Sequence, residues 1–343
     1  MNGGHAGDPG RLRLGVLDQS PISEGSSGPE ALRNTLGLAA LTDRLGYHRY
    51  WIAEHHGTPM LASPSPEALI GPVAMATRGI RVGSGGIMLP HYSPVKVAET
   101  FSMLAGLFPD RIDLGIGRAP GSDQRTAYAL QRDRRQLAPD DFPDQLVELL
   151  GYLEGTIPPE HPFAGVARLP GRPYAPEVYL LGSSLQSALW AGQLDLPYVF
   201  ADFINPEGAP IAERYRAELA RHHPEARPRI AVAVWALAAE TDEEAEQLSA
   251  SHRMAMTLLR RGQLIPVPTV ETALEFLARE GGLPFGGRRR IVGTPERVKD
   301  GIEAAAAEYG ADEVMVVTIT HSHAARLRSY ELVAEAFGLD PRA

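Results

Sequence analysis

The feature that most constrains the fold is a rhythm. Short apolar runs lie at residues 12–17, 50–53, 80–84, 111–116, 178–181, 198–201, 230–237 and 314–319. Helical segments separate them, at 29–45, 66–77, 94–107, 142–153, 184–194, 206–221, 242–260, 295–309 and 324–337. In the first of these, Leu32, Leu36, Ala39 and Leu45 recur at helical spacing. Strand followed by helix in regular alternation argues for a parallel sheet. Eight such units in 343 residues match a TIM (β/α)8 barrel. A doubly wound sheet is the structural competitor.

The rhythm is interrupted by insertions at about 118–141, 155–176 and 262–290. The first is polar and arginine-rich, and the second is rich in Pro and Gly. The third holds two Gly- or Pro-rich stretches, 262–268 and 281–290, around a short helix. Long irregular segments inside a compact barrel are commonly functional covers. The expected architecture is therefore a barrel whose insertions form a lid, with 262–268 closing over the mouth; a passive surface loop is the alternative. Residues 1–11 read as a loose leader and 12–343 as a single domain.

Composition narrows the chemistry. There is no cysteine, so disulfides, thiolate metal sites and a cysteine nucleophile are excluded. A net charge of −9 disfavours nucleic acid and acidic membranes as partners. No apolar run approaches the ~20 residues of a membrane span, and the N-terminus lacks the apolar region of a signal peptide. The expected location is the cytoplasm.

Barrels carry their chemistry where strands end. The first run ends in Asp18-Gln19, the second in Glu54-His55-His56, the third in Ser84-Gly85-Gly86, the fourth in Gly117-Arg118, the fifth in Gly182-Ser183-Ser184 and the last in Thr320-His321. Each has a bland reading: turn residues for Asp18 and Gln19, a surface ion pair for Arg118, an ordinary helix cap for Ser183 and Ser184. Taken together they say more. Ser183, Ser184 and Ser187 offer hydroxyls and backbone N–H groups at a helix N-terminus, which favours an anion. Arg118, on the neighbouring strand, supplies a planar cation that matches phosphate. Gly85 and Gly86 let backbone approach a flat ring closely. The joint reading is flavin mononucleotide lying across the barrel mouth. Metal binding by Asp18, His55, His56 and His321 is the rival, but adjacent histidines diverge from a strand and no His-Glu-x-x-His spacing occurs.

The stretches Tyr50-Trp51-Ile52-Ala53-Glu54-His55-His56, Arg81-Val82-Gly83-Ser84-Gly85-Gly86-Ile87-Met88-Leu89-Pro90 and Arg111-Ile112-Asp113-Leu114-Gly115-Ile116-Gly117-Arg118 resemble the bacterial luciferase-like flavin monooxygenases. The chain looks closest to the single-component oxidoreductases of secondary metabolism in that family. The resemblance runs from Leu12 to Phe337. It implies a TIM barrel with a lid and reduced FMN supplied by a separate flavin reductase. It also implies O2 as co-substrate, reacting through a C4a-peroxyflavin with an aldehyde or other apolar organic substrate. By motif, His55 matches the catalytic histidine; Arg118, Ser183, Ser184 and Ser187 match the phosphate site. Gly85-Gly86 matches a non-proline cis peptide under the flavin ring. Asp18 and Glu54 are expected to line the cofactor.

The resemblance also implies a homodimer pairing through 66–77. Two features depart from the light-emitting subunit: Gly117 stands where it has a reactive cysteine, and Ser183 where it has an acidic residue. Two alternatives stay open, a deazaflavin-dependent dehydrogenase or reductase of the same fold and a flavin-binding protein without turnover. Trp51, Met60, Met88, Tyr92, Phe200, Phe203 and Trp235 are candidates for the substrate surface. With an ordinary histidine value of ~6.5, His55 is expected to move a proton near neutral pH.

Overall fold

The computed structural model describes residues 11–118, 124–131, 134–135, 141–205, 207–280 and 289–342. Eight parallel strands close a barrel: β1 (Arg13–Asp18), β2 (Arg49–Ile52), β3 (Arg81–Met88), β4 (Ile112–Gly117), β5 (Glu177–Gly182), β6 (Tyr198–Ala201), β7 (Ile230–Ala238) and β9 (Glu313–Val317). Each pairs with the next in chain order; β9 lies between β7 and β1, which completes the ring. The expected TIM barrel is thus the observed one. A short strand that the sequence reading missed, β8 (Ile291–Gly293), adds to the far end of β7 at Ala236–Ala238.

Helices α1 (Gly28–Arg44), α2 (Pro66–Ala76) and α3 (Pro94–Leu107) follow the first three strands. The excursion after β4 contains α4 (Gln124–Leu130) and α5 (Phe142–Glu154). Then come α6 (Leu185–Gln193), α7 (Ala209–His222), α8 (Asp242–Arg260), α9 (Val270–Arg279), α10 (Pro295–Tyr309) and α11 (His323–Phe337). Proline in the first turn starts α2, α3 and α10, where its missing N–H costs nothing. Gly310 and Gly338 end α10 and α11 in the left-handed region, with φ of 56° and 58°.

Strand alternation divides the core in two. On β7 every residue is buried. Ala231, Ala233, Trp235 and Leu237 face the barrel interior with Leu17, Trp51, Val199 and Met315. Ile230, Val232, Val234 and Ala236 face the helices. A strand covered on both sides is apolar throughout, which is why this run stood out.

The closed end of the barrel is plugged by charge. Arg49 bonds Asp113 at 2.7 Å and Glu313 at 2.5 Å, all three being buried. Arg81 also reaches Asp113. The Trp51 indole N–H donates to the same Asp113 carboxylate at 2.8 Å. The plug therefore fixes the ring that floors the opposite, open end.

Two of the insertions pack against neighbouring elements, and much of 118–141 lies outside the described residues. The 155–176 segment packs on the outside of α3: Gly171 N–H donates to Ser102 Oγ at 3.0 Å and Arg168 N–H to Glu99. Residues 262–268 are tied down by backbone bonds, Val267 N–H to Ile22 O and Glu24 N–H to Val267 O, both 2.8 Å. Val267 is fully buried. The segment is thereby strapped to the β1–α1 loop, which follows the C-terminal end of β1. Most of 281–290, residues 281–288, lies outside the described residues. Its continuation is anchored, with Arg289 bonded to Asp202 and Glu308. Among the described residues, no helix is long and apolar enough to cross a membrane.

Candidate active site

A cavity of about 490 Å³ opens at the C-terminal end of the strands. Its floor is apolar and comes from inward residues of several strands: Leu17, Trp51, Val199, Ala233 and Met315. Its rim carries the strand-end residues His55, Glu54, Gly85, Gly86, Arg118, Ser183, Ser184 and Ser187. Eight of the nine expected site residues therefore meet in one place.

The serine end is built by α6. Ser184 is its N-cap, with extended backbone, and its Oγ accepts from Ser187 N–H. Ser187 Oγ donates to Ser184 O at 2.8 Å and lies 2.9 Å from the Tyr198 hydroxyl. Asn205 Nδ2 donates to the Ser183 carbonyl at 3.3 Å. Gly182 has no side chain for a reason: a Cβ there would come within 2.2 Å of Ser187 Oγ. Arg118 stands across from this helix end, its guanidinium 5.5 Å from the Trp190 ring centroid. Tyr198, Asn205 and Trp190 were not singled out from sequence. They are ordinary strand, loop and helix residues until the fold puts them beside the serines.

Gly85–Gly86 is a cis peptide bond, as expected. The glycines serve the barrel wall as well as its mouth. A Cβ on Gly85 would lie 2.5 Å from Leu17 Cδ1 and 3.0 Å from Trp51 Cβ; one on Gly86 would lie 2.7 Å from the Gly115 carbonyl. The β3–β4 register shifts at this point, between Gly85 and Ile87.

The opposite end holds the histidines. His55 lines the cavity, and its Nδ1 is buried with no hydrogen-bond partner. Burial, with the adjacent His56, pushes its imidazole down to about 4. This differs from the expectation of a ring titrating near neutrality: burial favours the neutral form of His55. Glu54 is fully buried, takes a bond from Met88 N–H at 3.0 Å, and lies 2.9 Å from His56 Nε2. His55 lines the cavity and the adjacent His56 does not.

Asp18 is a correction. It does not line the cavity. Its carboxylate turns to the outer layer, where it accepts from Thr35 Oγ1 and Arg326 at 2.7 Å, Tyr50 OH at 2.5 Å and Ser20 N–H at 2.7 Å. Burial alone would raise its pKa; Arg326 and the two hydroxyls hold it below the usual carboxylate value. Asp18 anchors the last helix to the first strand. His321 likewise bonds Glu24 O outside the cavity. Among the described residues, no group of three His, Asp or Glu side chains is arranged to hold a metal.

Of the substrate-surface candidates, Trp51, Met88 and Phe203 line the cavity, joined by Ile204. Phe200 faces the helices, tilted against Tyr309. Trp235 lies flat on His252, with ring centroids 4.4 Å apart. Met60 and Tyr92 are also outside the lining.

An eight-stranded parallel barrel with a cavity at the C-terminal ends of its strands, bordered by a serine-capped helix end, an arginine and a histidine, has the layout of a barrel enzyme. The sequence profile of the luciferase-like monooxygenases matches residues 12–313. YwcH of Bacillus subtilis is 45% identical over 334 residues, covering 95% of this chain and 99% of that protein. A luciferase-like monooxygenase of Escherichia coli K12 is 39% identical, covering 94% and 96%. The N-acetyl-S-alkylcysteine monooxygenase of Bacillus subtilis is 36% identical, covering 95% and 98%. Among solved structures, apo-MsnO8 superposes with a TM-score of 0.86 at 40% identity, covering 97% of this chain and 99% of that one. The oxygenating constituent of 3,6-diketocamphane monooxygenase, solved with FMN, shares the fold with a TM-score of 0.70 at 19% identity, covering 97% and 100%. The chain belongs to the luciferase-like monooxygenase family and is an enzyme of that family.

Proposed function

We propose that this enzyme takes reduced FMN and O2 and transfers one oxygen atom to an apolar organic acceptor. The observation that carries the reading is the polarity of the cavity. One end is a serine-lined helix N-terminus facing Arg118; the other holds His55 with an unpaired ring nitrogen over an apolar floor. A flat ring with an anionic tail fits that division. Ser183, Ser184, Ser187 and Arg118 would hold the phosphate, and Gly85–Gly86 with Trp51 would border the ring. The cofactor, when bound, supplies the two electrons and the site at which O2 is activated.

The chain's own residues do the rest. Leu17, Val199, Ala233 and Met315 exclude water, which limits wasteful release of peroxide. His55, neutral under working conditions, offers its free Nδ1 to hold or take a proton at the reacting edge. Trp51, fixed by Asp113, keeps the floor in one orientation.

The acceptor is apolar because the lining is. A thioether is the first class to try, since a relative 36% identical to this chain is an N-acetyl-S-alkylcysteine monooxygenase; an aldehyde is the second. Supply of reduced FMN by a separate flavin reductase, pairing of two copies through α2 (where Met75 is exposed) and a cytoplasmic location belong to the same proposal.

The test is an anaerobic titration with reduced FMN, reduced riboflavin and reduced deazaflavin, followed by mixing with air. The reading expects FMN to bind tightest and O2 to be consumed one per flavin. Preference for deazaflavin with no O2 uptake, or FMN oxidising at its free-solution rate, contradicts it.

A further inference from the structure

Turnover of anionic reduced FMN takes up a proton. With an acceptor S, FMNH⁻ + O2 + S + H⁺ gives FMN + SO + H2O. Without one, FMNH⁻ + O2 + H⁺ gives FMN + H2O2. In both, two electrons pass from flavin to dioxygen and one proton comes from solvent. That proton must enter a cavity with an apolar floor. His55 can hold a proton at the reacting edge, but its buried Nδ1 has no partner along which a proton from solvent would reach it.

A second pair does connect cavity and surface. Glu54 lines the cavity and is fully buried. Its Oε1 accepts from His56 Nε2 at 2.9 Å, and the His56 side chain is 14% exposed. We propose that Glu54 and His56 form the path by which the turnover proton enters the cavity. The inference rests on the FMN reading above.

The groups around the pair fit a path better than a plain structural contact. Glu67, from α2, faces it with Oε2 buried and unpartnered. Its carboxyl is pushed up by burial, the Glu54 charge adding to the effect. Tyr92, just after β3, hydrogen-bonds Glu54, and burial followed by the Glu54 charge keeps its hydroxyl protonated. The His91 ring stands edge-on to His56, with centroids 6.1 Å apart. Polar side chains from α2 and from the turn after β3 thus converge on a carboxylate that touches the cavity. Glu54 also accepts from Met88 N–H, which holds it in place.

Two measurements test the path, and neither needs the acceptor. In the first, protein loaded anaerobically with reduced FMN is mixed with air-saturated buffer and oxidation is followed at 450 nm. His56→Gln, which keeps a donor to Glu54 but cannot relay a proton through a ring, should slow oxidation about 10–100-fold. His56→Ala should be slowed similarly and recover with added imidazole. Wild-type rate and pH profile in both variants, or no recovery with imidazole, overturns the path. Reduced-FMN affinity is measured on the same samples; tight binding with an unchanged rate sinks the path and leaves the FMN reading standing. The second measurement uses flavin-free protein. Exchange of the His56 Nε2 proton with water, read by ¹⁵N-edited NMR, should be at least tenfold faster in Glu54→Gln than in wild type. Equal exchange overturns the Glu54–His56 link whether or not FMN binds.

Discussion

Replacing His55 by leucine removes a group whose protonation the fold resists. Burial and the adjacent His56 lower the His55 imidazole from its ordinary 6.5 to about 4. Above pH ~7.5 the ring is neutral in both the folded and the unfolded chain, and contributes little pH dependence. On acidification the unfolded chain takes up the proton first and is stabilised by it; the folded chain follows only near pH ~4. Stability is therefore lost as pH falls through this window. Between pH 7.5 and 4.5 the loss from His55 is at most about 2.5 kcal/mol, worked from the two values at 1.36 kcal/mol per unit. The ring is partly open to the cavity, which makes this a ceiling. His48, lowered to about 3 by burial and then by Arg49, is present in both proteins and cancels. The assay is urea unfolding of wild type and His55→Leu at several pH values across this range, followed by tryptophan fluorescence. Any packing difference is independent of pH; the variant should gain on wild type by roughly 2 kcal/mol toward acid. Parallel stability curves would show that the folded chain protonates His55 as easily as water allows, and would remove the neutral base from the site.

Arg118→Ala should weaken FMN binding by about 1.5–3 kcal/mol, the range for a charge-assisted bond, and leave riboflavin unaffected; calorimetric titration with both ligands separates phosphate recognition from ring contacts. Arg326→Met should cost about 3–5 kcal/mol in urea unfolding because it strands the buried Asp18 carboxylate, while flavin affinity per folded molecule stays at the wild-type value. Gly85→Ala should destabilise the chain by about 1–3 kcal/mol through overpacking against Leu17 and Trp51, measured as a shift in thermal midpoint; an unshifted midpoint would mean that the barrel wall yields freely there.

The barrel was legible because its strands are covered on both faces and its helices on one. Period and length alone separate the two along most of the chain. What stayed hidden depended on distant partners. Asp18 sits at a strand end like the true site residues, yet Arg326, 308 residues away, draws its carboxylate into the outer layer. No local window contains that pairing. β8 is three residues long and follows an arginine-rich stretch, too short for a periodic signal. The glycine and prolines of 262–268 mark an irregular segment, but not that Val267 finds backbone partners at Ile22 and Glu24. At the site, residue types were visible and protonation was not. The low basicity of His55 comes from burial, and the burial of Glu54 comes from the barrel wall. The Glu54–His56 contact spans only two positions, yet its meaning depends on which of the two faces the cavity.

We propose that this chain incorporates oxygen from O2 with reduced FMN as the electron source. The most direct test is a single turnover in ¹⁸O2. Protein loaded anaerobically with reduced FMN is mixed with ¹⁸O2 and either N-acetyl-S-propylcysteine or decanal, and the product is weighed by mass spectrometry. The expected product carries one ¹⁸O atom, with yield falling in His55→Leu. Quantitative H2¹⁸O2 with neither acceptor oxidised, or a product whose new oxygen comes from water, would contradict it.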